Sequence, residues 1–125
     1  MKFDETRVRK ALRKVWSVDT AIQWTEENPA SGQCNVTAAV ICDVFGGEVL
    51  RTKLPSVWHY YNRLDGNRYD LTDSQFTAPG ALFETPQSYD DEVSSPEAAM
   101  ESIPQREYDA LKHSLLYELS IQSVA

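Results

Sequence analysis

No apolar run in the sequence approaches the roughly twenty residues that span a bilayer. The N-terminal stretch interleaves Lys2, Arg7, Arg9, Lys10, Arg13 and Lys14 with acids and has no apolar centre. Neither a membrane association nor a secretory signal is therefore expected, and the cytoplasm is the expected compartment. Cysteine is scarce, with Cys34 and Cys42 alone. If both lie on one helix they are two turns apart, a rise of roughly 12 Å, too far for a disulfide. Their spacing does not match zinc ligation, and only His59 and His113 are available as imidazoles, so no metal or other cofactor is expected. Lys and Arg are absent between Arg68 and Arg106, where Asp70, Asp73, Glu84, Asp90, Asp91, Glu92, Glu97 and Glu101 all fall. Net charge is 12 − 19 = −7, which argues against nucleic acid as a partner. The acidic interval reads as solvated surface, or as a face for a cationic substrate or partner. Repeats and low-complexity segments are also missing.

What remains is one domain over residues 1–125, 42% hydrophobic and long enough to bury a core. Val8, Ala11, Leu12, Val15 and Trp16 recur at helical spacing over residues 4–16, with Asp4 and Glu5 at the start and Arg13 and Lys14 near the end. A shorter helix is predicted from Ser17 to about Glu27, stopped by Asn28-Pro29. A near-wholly apolar helix follows Cys34 and ends at Gly46-Gly47, with Cys42 as a packing residue within it. Glu48–Leu54 is predicted as a strand, followed by a hairpin around Asp65-Gly66. Residues 77–94 carry Pro79, Gly80 and Pro86 without a period and read as a long loop, disordered or acting as a lid. Ser95-Pro96-Glu97 opens a short helix. Ser102-Ile103-Pro104-Gln105 leads into a last helix with Tyr108, Leu111, Leu115, Leu116 and Leu119 on one side. His113 on that helix reads as a surface or packing residue.

Three residues carry chemistry. Cys34 stands at the first turn of its helix, where unpaired N–H groups and the macrodipole favour a thiolate. With a two-residue loop at Asp65-Gly66, Leu64 pairs with Asn67 and Asp70 falls opposite Tyr61. Tyr61 and His59 share a face, which makes His59 and Asp70 diagonal neighbours, roughly 7–8 Å apart at the backbone. A three-residue loop would separate them. Trp58 and Tyr60 then face the other side of the sheet, Trp58 in the core or under the N-terminal helix, and Tyr61 lines a cleft with His59. Packing alone is the competing role for each of these aromatics.

The runs GQCNVTAAVICDVFGGEVLRTKL and HYYNRLDGNRYDLTDSQF resemble the YunG-type family of small uncharacterised bacterial proteins, with its Gly-Gln-Cys helix, His-Tyr strand and Asp-Leu-Thr strand in that order. The resemblance covers Ser31 to Phe76. It implies an α+β fold with a papain-like or transglutaminase-like cysteine core: a nucleophile helix packed on a small antiparallel sheet, with flanking N- and C-terminal helices. It places Cys34, His59 and Asp70 at the matching positions. Asp70 departs from the asparagine that papain-type peptidases often use.

The expected chemistry is that of a cysteine hydrolase or acyltransferase acting on a peptide, a protein or a small amide or thioester. Cys34 attacks, His59 moves the proton and Asp70 orients the imidazole. The Cys34 N–H is one oxyanion donor. Gln33, preferred over Gln23 because the motif contains it, is the expected second, with capping as its alternative role. Gly32 permits close approach of a substrate or forms a tight turn. A non-enzymatic protein-interaction domain that keeps the fold is the alternative, and a redox sensor a third, distinguished by whether Cys34 is activated.

Overall fold

In the computed structural model, which describes residues 1–123, helices pack on one face of a four-stranded antiparallel sheet and an irregular segment covers the other. Helix α1 (Glu5–Val15) begins where Asp4 accepts a hydrogen bond from the Arg7 N–H at 3.1 Å, with Arg13 and Lys14 in its last turn. Both ends thus complement the macrodipole. Its buried side, Val8, Ala11 and Leu12, packs on α4 (Gln105–Ser123) through Leu111, Leu115 and Leu119.

The helix predicted over residues 17–27 does not form; this segment is a series of turns. Its hydroxyls compete with the helical pattern for backbone groups. Thr20 Oγ1 accepts the Ser17 N–H, Ser17 Oγ accepts the Asp19 N–H and Thr25 Oγ1 accepts the Asn28 N–H, each at 3.0 Å.

Helix α2 (Cys34–Phe45) is buried along Val36–Ile41 and lies between the sheet and α4. Trp16 Nε1 donates to Thr37 Oγ1 at 3.0 Å, tying the end of α1 to it. Strands β1 (Glu48–Lys53), β2 (Trp58–Leu64) and β3 (Asn67–Tyr69) follow. The turn after β2 has two residues, Asp65 and Gly66, both at positive φ (50° and 79°), and Leu64 pairs with Asn67 as predicted. Two positive φ values make this a hairpin turn that matches strand twist. The fourth strand, β4 (Glu92–Val93), comes from within the interval read as a loop and pairs with β1, giving the order β3-β2-β1-β4. It is too short for a period to reveal it. The short helix α3 (Pro96–Ala99) is capped by Ser95, as its sequence predicts.

Strand alternation divides the sheet. Val49 and Tyr60 pack with Ala38 and Ala39 of α2, and Asn62 Nδ2 donates to the Ala38 carbonyl at 3.0 Å. Trp58 is on this face, as expected, but at the margin of the core and beneath Arg51, whose Cζ lies 3.9 Å from its ring centroid, instead of under α1. Leu50, Thr52, His59 and Tyr61 point the other way and are buried beneath the segment that follows β3. Among the described residues no helix is long and apolar enough to cross a membrane.

The α2–β1 turn gives a sharp stability test. Gly46 and Gly47 both have positive φ, but a Cβ on Gly46 would meet nothing within 4 Å whereas one on Gly47 would run into the Arg63 carbonyl oxygen. Gly47→Ala is expected to cost at least about 3 kcal/mol and Gly46→Ala about 1–2 kcal/mol, strain alone being worth about 1–3 kcal/mol. Urea unfolding of both variants measures the difference, and equal costs would contradict the close approach.

Candidate functional site

Asp70 follows the last residue of β3, one register step beyond the Asn62–Tyr69 pair, and so stands across from Tyr61. Each residue of Asp70-Leu71-Thr72 has a separate task. Asp70 turns its carboxylate to His59, with Nε2 to Oδ2 at 2.7 Å, and Leu71 enters the core. Thr72 returns its N–H (3.3 Å) and hydroxyl (3.4 Å) to Oδ1. From α1, Arg9 donates to the Asp70 carbonyl at 3.2 Å and to Asp73 at 3.1 Å, fixing the chain where it leaves the sheet.

His59 is 2% exposed. Its ring lies edge-on to Phe76 (centroids 4.9 Å apart), stacks on Tyr61 (5.6 Å) and faces the edge of Tyr89 (6.3 Å). Burial lowers the imidazole pKa, but hydrogen bonding to Asp70 and Cys34, together with their charges, outweighs it and pushes the value up to about 9. Cys34 is thus brought to the His59 ring. Because Nε2 is engaged by Asp70, Nδ1 is the nitrogen left for the sulfur. The three residues that the sequence singled out as nucleophile, base and orienting acid come together.

Cys34 is the first residue of α2, with Gln33 at the cap and no side-chain capping bond. Its thiol donates to Asn35 Oδ1 at 3.3 Å, and Asn35 is itself held by donating Nδ2 to the Ala99 carbonyl at 2.8 Å. The Asn35 contact exists only while the sulfur carries its proton. Cys42, eight residues on, has a thiol pushed up by burial and by Asp43, which suits the packing role expected of it.

Of the other predicted site residues, Gln33 departs from its expected role, whereas Gly32 and Tyr61 take the turn and packing roles that were the alternatives for them. Gln33 is fully buried and turned away from Cys34. Its Oε1 accepts the Thr20 hydroxyl at 2.8 Å and its Nε2 donates to the Ser17 carbonyl at 3.4 Å, so its amide braces the turns before α2. Gln23 is the glutamine that lines the same groove as Gly32 and Cys34. Gly32 has φ 73°, and a Cβ there would lie 2.7 Å from Gln23 Cδ and 2.8 Å from Gln23 Cβ. Glycine serves the tight turn and lets Gln23 lie against the backbone. Tyr61 is 1% exposed and lines no cleft; its hydroxyl donates to Asp91 Oδ1 at 2.7 Å and its ring backs the imidazole.

Tyr89 had no signal in the sequence because it lies in an aperiodic loop. Its hydroxyl donates to Asp70 Oδ2 at 2.6 Å, the oxygen that also meets His59. The residues after it are fastened one by one. The Asp90 N–H donates to Thr52 Oγ1 at 2.9 Å, Asp91 accepts from Arg68 at 2.9 Å and Glu92 pairs with Arg51 at 2.6 Å. The segment is an ordered strap over His59, and much of its acidity is paired internally. Among the described residues, no group of three or more His, Cys, Asp or Glu side chains is disposed to hold a metal ion. His113 is exposed on α4.

The balance of forces on His59 predicts its titration. In Asp70→Asn the burial effect is left opposed mainly by Cys34, so the imidazole midpoint measured by NMR should drop from about 9 to the ordinary 6.5 or below. A midpoint unchanged near 9 would exclude Asp70 as the source. Because the folded value lies above the unfolded one, the stabilisation given by protonated His59 is complete below about pH 6.5 and is lost as pH rises through about 9. Thermal melts of the native protein should decline over that window more steeply than those of Asp70→Asn.

Comparison with known proteins agrees with the residue pattern. A family profile described as YunG protein matches residues 4–120. Over 72 residues the chain is 47% identical to a Bacillus subtilis (strain 168) protein described as uncharacterized protein YunG, a stretch covering 58% of this chain and 63% of that one. The match therefore spans slightly under two thirds of the relative's length. No solved structure matches the chain.

Proposed function

The chain belongs to the YunG protein family, and we propose from its site geometry that it is a cysteine hydrolase or acyltransferase with a papain-like catalytic core. The observation that carries this reading is the buried His59–Asp70 bond of 2.7 Å with Cys34 at the same imidazole. A His whose pKa stands at about 9 is a proton donor at neutral pH, and beside a thiol it favours the thiolate–imidazolium pair. The substrate class is an amide, thioester or peptide.

Cys34 Sγ attacks the carbonyl carbon, and the carbonyl electron pair moves to oxygen. That oxyanion meets the Cys34 backbone N–H at the start of α2 and the side-chain amide of Gln23. Collapse of the tetrahedral species expels the leaving group, which takes the proton from His59, and leaves a thioester on Cys34. Water or an amine then attacks the thioester while His59 accepts its proton, and the thiolate is released. Asp70 holds the imidazole through Nε2 in both steps and stabilises the imidazolium. General acid–base transfer of this kind is worth about 10²–10⁴-fold, and one oxyanion donor about 10²–10³-fold.

Iodoacetamide labelling followed by mass tests the pair without a known substrate. Native Cys34 should label rapidly down to about pH 6, below the range of an ordinary thiol at about 8.5. His59→Ala should lose that advantage. Slow labelling, or labelling indifferent to His59, would refute the catalytic reading and leave the interaction-domain reading. With p-nitrophenyl acetate as acyl donor, Gln23→Ala should lower acylation about 10²-fold while leaving alkylation nearly intact. Gln33→Ala should instead lower the melting temperature, since its amide braces the turns.

A further inference from the structure

The hydrogen bonds on the Asp70 carboxylate are unequal. Those from Thr72 to Oδ1 are long, at 3.3 and 3.4 Å, whereas Oδ2 meets His59 Nε2 at 2.7 Å and the Tyr89 hydroxyl at 2.6 Å. Both short contacts fall on one oxygen, and they come from β2 and from the strap, elements distant in the chain. The Tyr89 ring is held independently of its hydroxyl: it meets Tyr61 edge-on with centroids 5.1 Å apart, and Arg68 Cζ lies 4.9 Å from its centroid. The titratable groups around the imidazole are Cys34 from α2, Asp70 after β3, Tyr61 within β2 and Tyr89 itself, while Arg68 and Asp73 act on Tyr89 in turn. Burial and the bond to Asp70 push the Tyr89 hydroxyl well above the ordinary tyrosine range, so it keeps its proton while His59 titrates.

We propose that Tyr89 is a positioning residue for the acid–base step: its hydroxyl fixes Oδ2 toward His59 and draws on the charge of that oxygen, so that Asp70 orients the imidazole without gripping its proton too firmly. A carboxylate that accepts a hydrogen bond is stabilised in its charged form and attracts a further proton less. Donation by Tyr89 therefore opposes the pull of Asp70 on the Nε2 proton. The bearing on catalysis rests on the reading of Cys34 and His59 as nucleophile and base. In that reaction the imidazolium gives a proton to the leaving group and recovers one from the attacking water or amine, and too high a proton affinity slows the first transfer. The strap thus has a chemical task beyond covering His59.

Tyr89→Phe removes the hydroxyl and keeps the ring. NMR titration of the His59 imidazole in the whole protein should then place its midpoint above the native value of about 9 by at least about 0.5, a roughly three-fold gain in proton affinity. Site-specific Tyr89→3-fluorotyrosine, a stronger donor of nearly the same shape, should move the midpoint downward, and it decides the question if Tyr89→Phe fails to fold. Arg51→Gln, which breaks the strap's ion pair with Glu92 and touches neither bond on Oδ2, should keep the midpoint near the native value. A merely structural Tyr89 would leave the midpoint in place in both variants at position 89, and a simple seal against water would let it fall in Tyr89→Phe. Either result overturns the proposal, as does a shift in Arg51→Gln equal to that in Tyr89→Phe. Because the titration needs no reactive thiol, the two readings fail separately. A midpoint that moves as expected in a protein whose Cys34 labels slowly and without regard to His59 would sink the hydrolase reading alone. An unmoved midpoint with rapid, His59-dependent labelling would sink the role of Tyr89 alone.

Discussion

A charged pair placed where water scarcely reaches organises this structure: the His59 ring and the Asp70 carboxylate, 2.7 Å apart and nearly buried. Removing two ions from water is costly, and their attraction recovers the loss only when the remaining donors and acceptors are also satisfied. The chain meets that condition at each oxygen. Oδ1 of Asp70 receives Thr72, and Oδ2 receives both His59 and Tyr89. Three aromatic rings then exclude solvent from the imidazole. The same exclusion strengthens the field that Asp70 exerts on His59. Support for the pair and control of its protonation are therefore one arrangement.

That pair depends on hairpin register, and register on two residues. Asp65 and Gly66 supply the positive φ angles of a two-residue turn, and with Leu64 fixed opposite Asn67 the carboxylate has one place to go. One additional residue in the turn would send Asp70 to the helix-covered face, among Val49, Tyr60 and Ala38, where no imidazole waits. Arg9 acts on the same constraint from α1, holding the Asp70 carbonyl after the ladder has ended. The N-terminal helix thus reaches the site through one guanidinium as well as through the core.

What could be read from the amino acids follows from how local its cause is. Cys34, His59 and Asp70 were legible because their placement needs only a helix start, a strand period of two and a turn of known type. The motif favoured Gln33 over Gln23, but which amide reaches the groove depends on the turns of residues 17–33, where serine and threonine side chains displaced the expected helix. Tyr61 was put on the correct face, but whether that face was open depended on a strap some thirty residues away in the chain, anchored by Asp91. Tyr89 and β4 were illegible for a related reason: a two-residue strand and a single hydroxyl carry no period, and their partners, Val49–Arg51 and Asp70, are distant in sequence.

The burial of the site residues also fixes the direction from which anything can approach. His59 is enclosed at 2% exposure, while Cys34, at 9%, stands at the margin where the groove opens. The strap that closes the far side is tied to β1, β2 and β3 through Thr52, Tyr61, Arg68 and Arg51, so opening it would break several charge-assisted contacts together. The groove at the sulfur is lined by Gln23 and Ile22 from the turns before α2 and by Ile103, Pro104 and Arg106 at the start of α4. Val57 and Trp58, where β2 begins, complete the lining. On the proposed function, selectivity is separable from the reacting residues, because exposed groove-lining side chains such as Ile22 and Arg106 lie outside the hairpin that holds His59 to Asp70.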